Sequence, residues 1–171
     1  MMTTSEIDNL VELLKKLEPG LLPFTVFREV TRVYVTAIVE IVPLRLVDGK
    51  TQVLMTRRER DDLYWPKLWH TPGTVLRATD KKGDLVDAFE RIMKGELGYQ
   101  GEYVPVFVYQ RFSQSTRGSE FSAVHYVEIS GEAGKGEWFD VEKLPTDWVE
   151  TQKEMIEKSV ECFKKDKRFS D

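Results

Sequence analysis

The stretch that most constrains the fold runs from Trp65 to Tyr99. It reads as a strand ending at Trp69, a Pro72-Gly73 turn, a charged loop from Arg77 to Asp84, and a helix from about Asp84 to Leu97. Gly98 stops that helix, because glycine accepts the left-handed conformation a helix C-terminus needs. Leu85, Ala88, Phe89 and Ile92 fall on one helical stripe, and Asp87–Arg91 and Glu90–Lys94 are i,i+4 ion pairs on the other side. A plain amphipathic helix explains most of these residues. Glu96 stands apart, since it extends the apolar stripe and sits at its edge.

The rest of the chain builds a sheet around this unit. Thr3 and Glu6 form a capping box for a helix over residues 3–18, whose apolar face is Ile7, Leu10, Val11, Leu14 and Leu17, ended by Pro19-Gly20. From Val30 to Val42 the chain alternates and is β-branched, with Val33, Val35, Ala37, Val39 and Ile41 on one face. Asp48-Gly49 predicts a hairpin turn into a strand from Thr51 to Arg57. Further strands are expected at 103–112, 121–129 and 137–139, and a last helix capped by Thr146 or Asp147 carries Val149, Ile156, Val160 and Phe163. Strands with one helix inserted and one at the end predict a mixed sheet between helices.

Composition narrows the class. A chain of 171 residues, 41% hydrophobic and 32% charged, can bury one core. A net charge of −4 offers nothing to nucleic acid or membrane. The single cysteine, Cys162, excludes an internal disulfide and a multi-cysteine metal site. No signal-peptide core and no apolar run of membrane-spanning length are seen, so the expected location is the cytoplasm.

The 65–99 unit resembles the Nudix box, G-x5-E-x7-R-E-U-x-E-E-x-G-U with U apolar. Pro72 and Gly73 fit the Pro-Gly before the box, and Thr74 stands where its second glycine belongs. Asp80 takes the place of the first glutamate, with Asp84 a rival, and the loop to Arg91 is about three residues longer than the pattern. Arg91, Met93, Glu96, Gly98 and Tyr99 are in register, but Ile92 and Gly95 replace two glutamates. Val53 to Arg58 resembles the arginine-ended strand before the box. Glu137-Trp138-Phe139-Asp140 with Leu144-Pro145 resembles the segment leading to the last helix. The resemblance covers roughly residues 30–165 and implies a Nudix-type α/β/α sandwich over 23–171, with residues 1–22 as an extra helical extension.

The resemblance implies a pyrophosphohydrolase using Mg²⁺ or Mn²⁺, which stabilises charge on phosphoryl oxygens. Positions 92, 95 and 96 have the i, i+3, i+4 spacing that gathers ligands on one side, yet they supply Ile, Gly and Glu. Two missing ligands are expected to cost at least on the order of 1000-fold, about 4 kcal/mol of barrier. Metal binding is therefore expected to be weak or absent. Glu96 is the candidate catalytic residue and, with Thr74 and Glu132, the candidate metal set; Glu120 and Glu128 are the other late carboxylates. Arg57, Arg58, Arg91, Trp69 and His70 are the candidate ligand-binding residues. Arg57 and Arg58 alternate, so at most one faces a cleft. Trp65, Trp69 and Trp138 suit either base stacking or core packing, His70 a strand-end hydrogen bond, and His125 a sheet face.

The stretch 54–69 also resembles the isopentenyl-diphosphate isomerase branch, which implies a cysteine acid and a histidine metal cage. The turn here, Trp69-His70-Thr71-Pro72-Gly73-Thr74, has no cysteine, and His70 and His125 are the chain's two histidines. Two classes remain: a hydrolase of a nucleoside diphosphate linked to another group, and a non-catalytic module for a phosphate-bearing ligand or a protein partner. The apolar N-terminal helix adds a possible homodimer.

Overall fold

A computed structural model describes residues 2–81 and 84–168. Helices α1 (Thr4–Leu14) and α2 (Phe24–Val33) precede a sheet of β1 (Thr36–Val47), β2 (Lys50–Arg57), β3 (Trp69–His70), β4 (Gly73–Val75), β5 (Val106–Ser115), β6 (Gly118–Glu128) and β7 (Glu137–Asp140). Helix α3 (Val86–Glu90) lies between β4 and β5 and continues as a π-helical segment over Arg91–Glu96. A 3₁₀ turn at Glu150–Gln152 leads into α4 (Lys153–Arg168).

The strand order is β3-β2-β1-β6-β5, with β4 also on β1 and β7 on β2. Only β1–β6 is parallel among the named ladders, so the sheet is mixed, as expected. Its two faces are covered by different elements. Val39, Ile41, Leu54, Val127 and Ile129 pack under Phe89, Ile92, Met93 and Leu97 of the α3–π segment. Val42, Leu44, Val53, Met55, Val124 and Tyr126 pack under Met155, Ile156, Val160 and Phe163 of α4. Alternation along β1 makes this division, odd residues to one layer and even residues to the other. The α/β/α sandwich is thus the observed architecture. Among the described residues no helix is long and apolar enough to cross a membrane.

Several expected elements shift. The alternating run from Val30 is not one strand, because α2 occupies Phe24–Val33 and β1 begins at Thr36. Pro23 supplies the helix start, Phe27, Val30, Thr31 and Tyr34 share one side at helical spacing, and Thr31 is buried. A β-branched residue disfavours helix only weakly, so this packing overrides it. The capping box of α1 forms, with the Thr3 N–H donating to Glu6 Oε2 at 2.7 Å and the Glu6 N–H to Thr3 Oγ1 at 3.3 Å. Asp48 and Gly49 both take positive φ (50° and 76°) in the tight β1–β2 turn, the conformation of a type I′ hairpin. Strands β5 and β6 sit about three residues away from their expected spans, joined by a turn at Thr116-Arg117. The last helix starts later than Thr146 or Asp147, because residues 147–149 pair with β3: the Trp69 N–H donates to the Asp147 carbonyl and the Val149 N–H to that of Trp69.

Candidate functional site

The sheet forks at Glu40. Below it β1 pairs with β2, and above it with β4 in the register Glu40↔Gly73, while Ile41 donates to the Pro72 carbonyl. The Thr71-Pro72-Gly73 turn is thereby pressed against β1. A β-carbon at residue 73 would stand 2.5 Å from Glu40 Oε2, so only glycine permits this approach. Gly73 also directs its N–H at the Glu96 carboxylate, which the π-helical end brings to the same place. Two carboxyl groups, Glu40 and Glu96, thus flank one glycine.

Burial governs both. Loss of hydration pushes the Glu40 carboxyl up to about 7 against the pull of Arg111, Arg117 and Arg58, with Glu120 adding repulsion. Glu96 is likewise raised to about 7, first by burial and then by Glu40, while Arg58 and Gly73 oppose. Glu40 escapes a reading based on motifs, since it lies within a strand. Its signal is a lone carboxylate inside the run Ile38-Val39-Glu40-Ile41-Val42.

Beside Glu40 and Gly73 lies a cavity of about 1140 Å³. Arg58, Thr71, Thr74, Arg111, Ser113, Arg117 and Glu120 line it with Glu40. Ser113 faces Glu120 and Arg111 faces Ser122 across β5–β6, which puts them on the Glu40 face of the sheet. Arg117 donates to Glu120 through Nε at 2.9 Å, and Arg58 through Nη1 to Asp62 at 2.8 Å. Both guanidinium carbons stand over the Trp65 ring, at 5.1 Å for Arg58 and 5.3 Å for Arg117. Arg111 donates from Nη1 to the Thr151 carbonyl at 3.0 Å. Gln152 fixes the turn from behind, accepting from the Thr71 N–H at 2.9 Å and donating to its carbonyl at 3.1 Å. Four buried polar atoms of lining residues, Arg58 Nε, Thr71 Oγ1, Arg111 Nε and Ser113 Oγ, have no hydrogen-bond partner among the described residues. Such groups are costly unless something pairs with them.

The other expected site residues divide. Thr74 and Arg58 line the cavity. His70 is buried just behind it. Its Nδ1 lies 2.8 Å from the Thr71 carbonyl, which can only accept, so the proton is on Nδ1 and Nε2 accepts from Thr56 Oγ1 at 3.2 Å. Burial pushes His70 down to about 4, which keeps it neutral. Arg57 turns outward, to Asp147 at 2.6 Å and the Lys67 carbonyl at 2.8 Å. Trp69 is a core residue, edge-on to Phe139 at 5.1 Å. Arg91 grips Asp80 with both terminal nitrogens and reaches the Val75 carbonyl, so it ties the loop to the helix. Asp84 accepts from the Val86 N–H at the helix start. His125 meets Phe89 and Phe107 edge-on at the sheet surface. Glu132 is exposed in the β6–β7 loop, and the carboxylate that acts on Glu96 is Glu40.

A divalent metal does not fit this donor set. Ile92 is fully buried in the core, Gly95 has no side chain, and Asp80 is spent on Arg91. Among the described residues no three His, Cys, Asp or Glu side chains gather where an ion could sit. The π-helical turn, marked by Leu97 N–H donating to the Ile92 carbonyl, also departs from the α-helical spacing on which the ligand trio depends.

The NUDIX domain family matches residues 38–159, and the chain belongs to that family. Solved structures agree on the fold. A mutT/nudix family protein from Listeria innocua superposes with a TM-score of 0.60 at 14% identity, over 78% of this chain and 97% of that one. The Ap4A hydrolase of C. elegans gives 0.55 at 15%, over 76% and 99%. The NUDIX domain of Shewanella oneidensis NrtR, solved with ADP ribose, gives 0.58 at 16%, over 95% and 99%. No curated protein matches the chain in sequence.

Proposed function

We propose that this Nudix-family protein holds a phosphate-bearing small molecule in the Glu40–Arg111 cavity and hydrolyses it weakly or not at all. The donor-rich lining carries this reading. Arg58, Arg111, Thr71 and Ser113 all line the cavity, and guanidinium and hydroxyl groups donate the hydrogen bonds that phosphoryl oxygens accept. Among the described residues Arg111 has no carboxylate partner at salt-bridge distance, unlike Arg58 and Arg117. Gln152 and the Gly73 approach hold the turn that presents Thr71. Glu40 and Glu96, neutral in part near pH 7, repel an anion less than two full charges would.

The second reading is a pyrophosphohydrolase of a nucleoside diphosphate linked to another group, favoured by family membership and by the paired carboxyls at Gly73. A cytoplasmic location and self-association through α1 belong to either reading. The test combines two measurements on the intact protein. Thermal shift with ADP ribose and with inorganic pyrophosphate, each in EDTA, should show stabilisation that Arg111→Ala abolishes. Product release from ADP ribose or a dinucleoside polyphosphate with Mg²⁺ should stay near background. Turnover at ordinary enzyme rates, about 1 s⁻¹ or more, would replace the proposal with the second reading.

A further inference from the structure

The cavity has two ends of opposite chemistry. The inner end is the arginine and carboxyl group just described. The outer end is walled by α2 and the segment before it, and it receives no charged side chain from either: Leu22, Phe24, Phe27, Val30 and Val35 all face it. The charged residues of α2 turn away and pair among themselves, Arg32 to Glu29 at 2.8 Å and Arg28 to Glu29 at 3.6 Å. Ile38 and Leu76 add to the apolar lining, and Arg77, Gln114 and Ser115 are polar members of it. This apolar lining is not covered, since Phe24 is 54% and Val35 53% exposed. Gly118 has φ 135° and would meet the Thr31 carbonyl if it carried a β-carbon, so α2 is seated closely on the β5–β6 hairpin.

A hydrocarbon suits the outer end, because Phe27 and Val30 lie on an α2 of ten residues, which offers an apolar track about 15 Å long.

We propose that the ligand is an amphiphile, a phosphate or diphosphate ester of a long hydrocarbon chain. Its head meets Arg58, Arg111, Thr71 and Ser113, and its chain lies along Phe27 and Val30 of α2. This rests on the phosphate-binding reading above. The continuity of the apolar wall with anion-binding donors in one cavity argues for a single occupant that satisfies both.

Calorimetry with butyl, octyl and dodecyl phosphate, each as monomer in EDTA, tests the proposal, with inorganic pyrophosphate as the head alone. Affinity should climb with chain length, approaching about fourfold per buried methylene. Val30→Glu places a charge on an exposed helix position and should flatten that slope while sparing pyrophosphate. Arg111→Ala should weaken every ligand alike. Pyrophosphate binding with no chain-length slope would overturn the amphiphile and leave the phosphate reading standing. A slope that survives Val30→Glu would also overturn it. Failure of every ligand would remove both. A wild-type dimer that Val30→Glu turns into a monomer, again without a slope, would give the outer end to a second copy and overturn the proposal.

Discussion

Replacing Glu40 by Gln removes a buried charge while keeping the shape, and the sign of its effect depends on pH. Glu40 has an ordinary value of 4.5 and rises to about 7 in the fold. The folded state therefore holds this proton more tightly than the unfolded chain. That advantage is complete below about pH 4.5 and is lost as the pH rises through about 7. The shift corresponds to about 3 kcal/mol at pH 8 and below about 1 kcal/mol at pH 5. Glu40→Gln does not titrate and should be the more stable protein at pH 8, by up to about 3 kcal/mol. Relief of repulsion on Glu96 adds in the same direction. For a chain of this length that is roughly a 5–10 °C rise in Tm at pH 8. Calorimetric melts of both proteins at pH 5 and pH 8 measure it. The reasoning fails if Glu40→Gln melts lower than wild type at pH 8, since Glu40 would then be held by partners that favour its charge.

Three further outcomes follow from the packing. Ile92→Glu, the change that restores a box glutamate, should cost more than about 4 kcal/mol and fail to confer metal binding, because it buries a charge in the core; Gly95→Glu meets open space and should fold normally, and denaturant melts with a Mn²⁺ titration separate the two. Arg91→Ala should lower stability by about 2 kcal/mol through loss of its hydrogen bonds to Asp80 and Val75, with pyrophosphate affinity unchanged by calorimetry. Helix α1 leaves Ile7, Leu10, Val11 and Leu14 between 43% and 48% exposed, with no buried residue; the full chain should sediment as a dimer and the chain lacking residues 1–20 as a monomer, and a monomeric full chain refutes this.

The fold was largely legible because its signals are local. A two-residue Asp-Gly turn, a Thr3–Glu6 box and a glycine at 98 each specify a conformation by their own chemistry. Alternation in β1 placed Val39 and Ile41 in the core. Helix α2 is not legible because its β-branched residues mimic a strand, and the seating of Thr31 against Gly118 of the hairpin is remote in sequence. The site was legible in part. Arg58 lines the cavity and Glu96 meets Gly73 of its lining, yet Arg91 and Trp69 serve the scaffold, a difference set by partners remote in sequence: Asp80 for one, Phe139 for the other. Glu40, Arg111, Arg117 and Gln152 come from four separate elements, and no spacing links them. The β1–β6 and β5–β6 ladders bring the arginines to the Glu40 face, and the hydrogen bonds of Gln152 to Thr71 bring the last of them to the turn.

Metal-independent anion binding is the claim on which the account turns, and calorimetry of pyrophosphate binding in EDTA and in Mg²⁺, from pH 6 to pH 8, tests it. An anion beside Glu40 and Glu96 raises their proton affinity further, so binding should take up protons and weaken as the pH rises through about 7. Binding should persist in EDTA and be no tighter in Mg²⁺, which itself complexes pyrophosphate. Binding that requires Mg²⁺, releases protons and strengthens toward pH 8 would mean that the two carboxylates hold an ion after all.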